Sequence, residues 1–242
     1  MKYLSHVTAG QSSASPFAPL RDTVTLLIHG LAETPMIMAP AEVGIRALGG
    51  EVVNLGYPST LEAPQALAEQ FILPVLKAHE NAAKLNIVTH SLGGVLAHYC
   101  LQTWRPKSLG RVVMTAPGLH GSEALEVYRH NFLFRMLYGP SAYRSGTGDD
   151  GFARFLPKDA NYELGVIAGC VSSDPIANTF IPWPHDGKIS VPRTKLSGMA
   201  DHIVLPLAHD YLSSAPLAVY QIEQFLIHGR YSRQMFDMIR AA

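Results

Sequence analysis

The chain has 242 residues, 48% of them apolar and only 16% charged, with 19 basic and 19 acidic side chains and a formal net charge of zero. That length fits one α/β domain with a sizeable core, and the low charge excludes an intrinsically disordered chain. Charge neutrality without a basic cluster argues against a nucleic-acid partner, and no apolar run approaches the length of a membrane span.

At the N-terminus there is a single Lys2 and no apolar run of signal-peptide length, which points to a cytoplasmic protein. Residues 1–21, with Gly10-Gln11-Ser12-Ser13-Ala14-Ser15-Pro16 inside them, read as a flexible lead-in to a domain over 22–229. The first strand is expected over 24–28, where Val24-Thr25-Leu26-Leu27-Ile28 is β-branched and apolar and runs into His29-Gly30-Leu31. A helical pattern follows over 35–48, then a strand over 51–55. The next helix is expected over 62–80, opened by Pro64 and interrupted by Pro74.

A third strand, 85–89, leads into Thr89-His90-Ser91-Leu92-Gly93-Gly94, and a helix is expected over 92–104. A serine between a buried strand and a helix, with glycine two positions on, has the layout of a nucleophile elbow. There a tight turn lifts the hydroxyl above the sheet edge. An N-cap is the plainer reading of those residues alone. Strands over 111–115, 164–171 and 202–206 and a helix over 216–228 complete the alternation, which implies a parallel sheet covered on both faces.

Residues 118–160 are too long for a simple crossover. The stretch from Leu125 to Tyr138 is an aromatic-rich helical candidate, and Gly146–Gly151 reads as a mobile, hinge-like loop. Cys100 and Cys170 fall in helix and strand patterns and read as core thiols; no His, Cys, Asp and Glu set has metal-ligand spacing, and no cofactor is implied. Residues 230–242 read as a helical tail. Its stretch Tyr231–Arg240 is amphipathic, which suits docking on its own domain or transient contact with a lipid interface.

On the residues His29-Gly30-Leu31 and Thr89-His90-Ser91-Leu92-Gly93-Gly94, the chain resembles the α/β-hydrolase superfamily, and within it the small bacterial lipases and esterases. The resemblance covers 22 to about 229. Thr89 departs from the glycine usual two positions before the serine. The implied fold is a mostly parallel central sheet with helices on both faces and a short cap at 118–160. The implied chemistry is carboxylic ester hydrolysis through an acyl-enzyme. Ser91 would be the nucleophile, and the backbone N–H groups of Leu31 and Leu92 the oxyanion hole. The family order of serine, acid, histidine places the base after the last strand, at His209. Two acids precede it in loops: Asp174, followed by Pro175, and Asp186, followed by Gly187; Asp186 suits the small-lipase acid loop better. Met36, Tyr57, Leu119, Phe132, Phe134, Leu137 and Tyr138 are expected to line an apolar substrate pocket. The substrate would then be a small hydrophobic ester. A thioesterase, amidase or acyltransferase would use the same triad, and a non-catalytic ligand-binding protein would keep the same fold.

Overall fold

The computed structural model describes residues 18–234. Its six strands, β1 (Thr23–Ile28), β2 (Glu51–Leu55), β3 (Lys84–His90), β4 (Leu109–Thr115), β5 (Leu164–Gly169) and β6 (Asp201–Leu205), lie in the order β2-β1-β3-β4-β5-β6. Every pairing between them is parallel. Parallel strands require crossovers, and the helices supply them: α1 (Ala39–Ala47), α2 (Pro64–Leu67), α3 (Leu73–Ala78), α4 (Leu92–Thr103), α5 (Glu123–Tyr128), α6 (Phe132–Tyr143), α7 (Ala177–Phe180) and α8 (Pro216–His228).

Side chains alternate along each strand, and both faces of the central strands β1, β3 and β5 are buried. Leu26, Ile28, Ile87, Val112 and Met114 pack under α2, α3 and α4 with Leu67, Leu76, Leu96 and Leu101. Leu27, Val88, Val113 and Ile167 face the other way, onto α1 and α8 with Ile45, Ile222 and Phe225. This double coverage is why the strands are continuous apolar runs. Each such side chain contributes about 1.5–3 kcal/mol by burial, and truncating Leu26 or Ile87 to alanine would cost about 2–5 kcal/mol.

Two expectations need correction. Leu20, expected in the flexible lead-in, is buried and its N–H bonds Leu48 O at 3.0 Å. The interruption expected at Pro74 is present, as Ala68–Ile72 forms a π-helical turn between α2 and α3. Pro74 explains it, since its ring would strike the carbonyl of Gln70 in a regular helix and the wider turn relieves the clash. The loop at Gly146–Gly151 is anchored, not loose. Gly148 N donates to Glu126 Oε2 at 2.8 Å, Arg129 pairs with Asp150 at 2.7 Å, and Phe152 packs on Val95 and Tyr99. The tail beyond Gln234 lies outside the described residues, and among those described no helix is long and apolar enough to cross a membrane.

Topology places one location apart. From β1 the chain goes outward to β2, then returns past β1 to start β3 and continues the other way. The order reverses between β1 and β3, and their C-terminal ends therefore flank a crevice, the usual ligand position in an open parallel sheet. Ile28 pairs with Thr89, so His29-Gly30 leaves the sheet beside His90-Ser91.

Candidate active site

Ser91 sits at the switch point with φ 49° and ψ −118°, a conformation that a non-glycine residue adopts only under restraint. The restraint comes from both sides. Ser91 N donates to Thr115 O at 2.9 Å, and α4 begins at the next residue. Close passage of α4 across β1 depends on Gly93, where a Cβ would stand 2.5 Å from Ile28 O and 2.6 Å from His29 O. Thr89, the departure from the usual elbow glycine, is accommodated by a second glycine. A Cβ on Gly94 would be 3.1 Å from Thr89 Oγ1, so the space the threonine needs is left by Gly94.

The loops after β5 and β6 bring the other two groups in. Asp186 and His209 lie side by side because His209 N donates to Asp186 O at 3.0 Å. A Cβ on Gly169, the last residue of β5, would come within 2.8 Å of Asp186 Cβ, so the acid loop folds back over that strand end. Asp186 Oδ2 lies 2.8 Å from His209 Nδ1, and His209 Nε2 lies 2.9 Å from Ser91 Oγ. The remaining carboxylate oxygen, Oδ1, accepts from Lys188 N at 2.9 Å and Ile189 N at 2.8 Å. Asp186 and His209 are 2% and 4% exposed. Asp174 is not near this chain of bonds: it is exposed, and its Oδ1 accepts from Ile176 N and Ala177 N at the start of α7. It is the turn initiator that the Asp-Pro pair allows.

Burial and pairing set the charges. Desolvation lowers the affinity of the His209 ring for a proton, and the facing Asp186 only partly opposes this, so the imidazole is uncharged at neutral pH. Burial alone would raise the Asp186 carboxyl, but His209 and the two backbone N–H groups together outweigh it and hold the carboxyl below its usual range. An uncharged ring against a fixed carboxylate has Nδ1–H pointing at Asp186 and the Nε2 lone pair pointing at the serine hydroxyl.

The N–H groups of Leu31 and Leu92 donate to no described residue. Leu92 opens α4, where a first-turn N–H has no helical partner and the helix dipole favours negative charge. Leu31 follows Gly30, whose hypothetical Cβ would be 3.0 Å from Ser91 Cβ, so the loop passes directly against the serine. This loop is pinned from below. Tyr57 Oη donates to His29 O at 2.8 Å, its ring stacks on His29 at 4.3 Å, and Ala32 N donates to Ser59 Oγ at 2.9 Å.

The expected pocket residues divide. Tyr57 is buried as a prop for the His29–Ala32 loop, and Leu119 is 1% exposed within the main core, so neither lines a cavity. Phe134 and Tyr138 stack on each other at 4.5 Å, half-buried. Phe132 and Leu137, 76% and 67% exposed, are enclosed by nothing, and Met36 is exposed as well. α6 kinks at Gly139 (φ 65°), where a Cβ would run into Thr60 O. The kink therefore sits on the 57–60 loop that supports His29–Ala32. Sequence reasoning missed Glu33, whose carboxylate reaches Gly30 N at 2.7 Å and stands 3.3 Å from His90 Nε2. An isolated glutamate three residues after a His-Gly pair carries no signal without its partners. Among the described residues no cluster could hold a metal ion.

No protein-family model and no curated protein matches the chain. Solved structures do. The chain is similar to the mature form of a Bacillus licheniformis lipase, with a TM-score of 0.69 at 15% identity over 88% of this chain and 93% of that one. It is similar to Aspergillus fumigatus lipase B, with a TM-score of 0.63 at 17% identity over 89% of this chain and 55% of that one. A type II thioesterase from the borrelidin biosynthetic cluster aligns with a TM-score of 0.56 at 15% identity, over 90% and 95% of the two chains.

Proposed function

This chain has the α/β-hydrolase fold, and on that premise we propose that it is a serine hydrolase of carboxylic esters with hydrophobic acyl or aromatic groups. The observation that carries the reading is the unbroken series Asp186–His209–Ser91, at 2.8 Å and 2.9 Å, ending on a strained serine at the switch point of the sheet.

The steps follow from that geometry. Ser91 Oγ attacks the ester carbonyl carbon while His209 Nε2 takes the hydroxyl proton. Asp186 keeps Nδ1 protonated and stabilises the imidazolium that forms. Negative charge gathers on the former carbonyl oxygen, which the N–H groups of Leu31 and Leu92 receive. Collapse expels the alcohol, protonated by His209, and leaves an acyl-serine. Water, deprotonated by the same ring, then attacks the acyl carbon and releases the acid. The exposed apolar side chains of α6, a helix whose kink at Gly139 rests on Thr60, favour a hydrophobic acyl or aromatic group over a charged one. One oxyanion hole serves thioesters equally, and relative rates on matched oxygen and sulfur esters separate the two.

Ser91→Ala is expected to fold normally and to lose para-nitrophenyl ester turnover by at least about 10⁴-fold. An organophosphonate should label Ser91 in the unmodified protein. Labelling at Ser122 or Ser172 instead would overturn the assignment.

A further inference from the structure

Glu33 is half-buried beside the triad, and the triad's own chemistry does not use it. Its Oε2 accepts from Gly30 N at 2.7 Å, the residue before the Leu31 N–H assigned to the oxyanion. Its Oε1 stands 3.3 Å from Nε2 of His90, at ion-pair distance though not aligned as a full hydrogen bond. His90 in turn packs its ring 4.9 Å from that of His209.

His90 Nδ1 lies 3.0 Å from Thr115 Oγ1, whose hydroxyl donates to Thr89 O at 3.1 Å, and these contacts hold the ring with Nε2 turned towards Glu33. His29 does not compete for the carboxylate: its Nδ1–H donates to Gly30 O at 2.9 Å, and burial keeps the ring uncharged at neutral pH. Burial alone would raise the Glu33 carboxyl, but His90, Gly30 N–H and the more distant His209 bring it down to about 2, so it is ionised throughout the working range.

We infer that Glu33 is a positioning residue of this site. Through Gly30 N–H it fixes the His29–Leu31 loop against Ser91, and its carboxylate supports the positive charge that His209 takes up during the reaction. The inference rests on the triad reading above. Other groups facing His209 are Asp186 and Lys188 of the acid loop and His90 at the end of β3, with Tyr57 and His29 on the Glu33 side. Lys188 is tied to Asp210 at 2.5 Å. Removing the Glu33 charge leaves Asp186 as the one carboxylate that supports the His209 ring. The imidazolium then loses support, and the proton leaves His209 at lower pH.

The test is the rate at which a fluorophosphonate labels Ser91, measured against pH in the wild type, Glu33→Gln and Glu33→Ala. Glu33→Gln retains an oxygen for Gly30 N–H and removes the charge. Its labelling should slow only several-fold, and the acid limb of its pH profile should move to lower pH. Glu33→Ala removes both functions, and labelling should slow about 100-fold, the scale of a misplaced oxyanion donor. A wild type unlabelled at Ser91 would defeat the triad reading itself. Labelled wild type with both variants matching it in rate and acid limb would defeat the Glu33 inference alone. A slowed Glu33→Gln with an unmoved acid limb and a lowered Tm would reduce Glu33 to a structural ion pair and overturn the inference equally.

Discussion

The ends of β1 and β3 and the helix α6 are built by opposite rules. At the strand ends specific hydrogen bonds hold the loops and the serine in place. His29 O takes Tyr57, Ala32 N takes Ser59, Gly30 N takes Glu33, and Ser91 takes His209. On α6 apolar side chains stand in solvent, with Phe132, Leu133, Met136 and Leu137 all exposed. A reaction centre must hold its atoms to within a fraction of an ångström, and interlocking hydrogen bonds do that. A surface for varied hydrophobic groups needs adaptable contact, and unpaired apolar side chains provide it. The contrast separates precision at the strand ends from tolerance on α6, and substitutions in the two regions should differ accordingly.

The strongest way to break the contrast is at the acid. Asp186→Asn keeps the shape of the site but favours the wrong His209 tautomer, and kcat should fall about 10⁴-fold with KM little changed. Activity near the wild-type level would mean that another group orients the ring. Next comes Gly93→Ala, which puts a methyl 2.5 Å from Ile28 O, a backbone atom that cannot give way. Chemical denaturation should show a loss of about 1–3 kcal/mol, together with a drop in kcat as Ser91 shifts. An unchanged midpoint would show that the crossing of α4 over β1 has slack.

A third test addresses pH. Burial lowers the proton affinity of His29, His98 and His209, and that of His202 to about 4. Each of these rings binds a proton more readily when the chain is unfolded, near its ordinary value of 6.5. Stability they contribute is therefore present above about pH 6.5 and is lost as pH falls below it towards the folded values. Thermal scans should show Tm falling between pH 7 and pH 5, and a flat profile would contradict their burial uncharged. The smallest expected effect is on α6. Phe132→Ala and Leu137→Ala remove exposed side chains and should change stability by no more than about 0.5 kcal/mol. They should weaken long-chain esters and leave acetate esters nearly untouched. Equal losses on both would show that α6 does not meet the acyl chain.

Much of the framework could be read along the chain. The strand runs at 24–28, 51–55 and 85–89 lie within one residue of the observed strands, and for the central pair the reason is that buried parallel strands are mostly apolar. Residues 164–171 were harder. The strand ends at Gly169, where Leu207 O and Asp186 crowd the backbone, and contacts from distant loops decide that end. Pro74 announced an interruption but not its form as a π turn. The Gly-rich composition of 146–151 suggested mobility, whereas Glu126 and Arg129, remote in sequence, hold it down.

Local pattern alone determined the parallel layered architecture, the strand-to-helix turn at Ser91 and the small residue its helix needs at Gly93. These depend on neighbours within a few positions, where side-chain period and backbone restriction operate. Only the tertiary structure decided that Asp186 rather than Asp174 stands behind His209, and that Gly94 makes room for Thr89. It also turned Tyr57 from an expected pocket residue into a support for the His29–Ala32 loop, and gave Glu33 its place beside His90. Those outcomes turn on distances between atoms brought together by the crossovers of the sheet, and a hydrogen bond is set by a few tenths of an ångström that spacing along the chain does not encode.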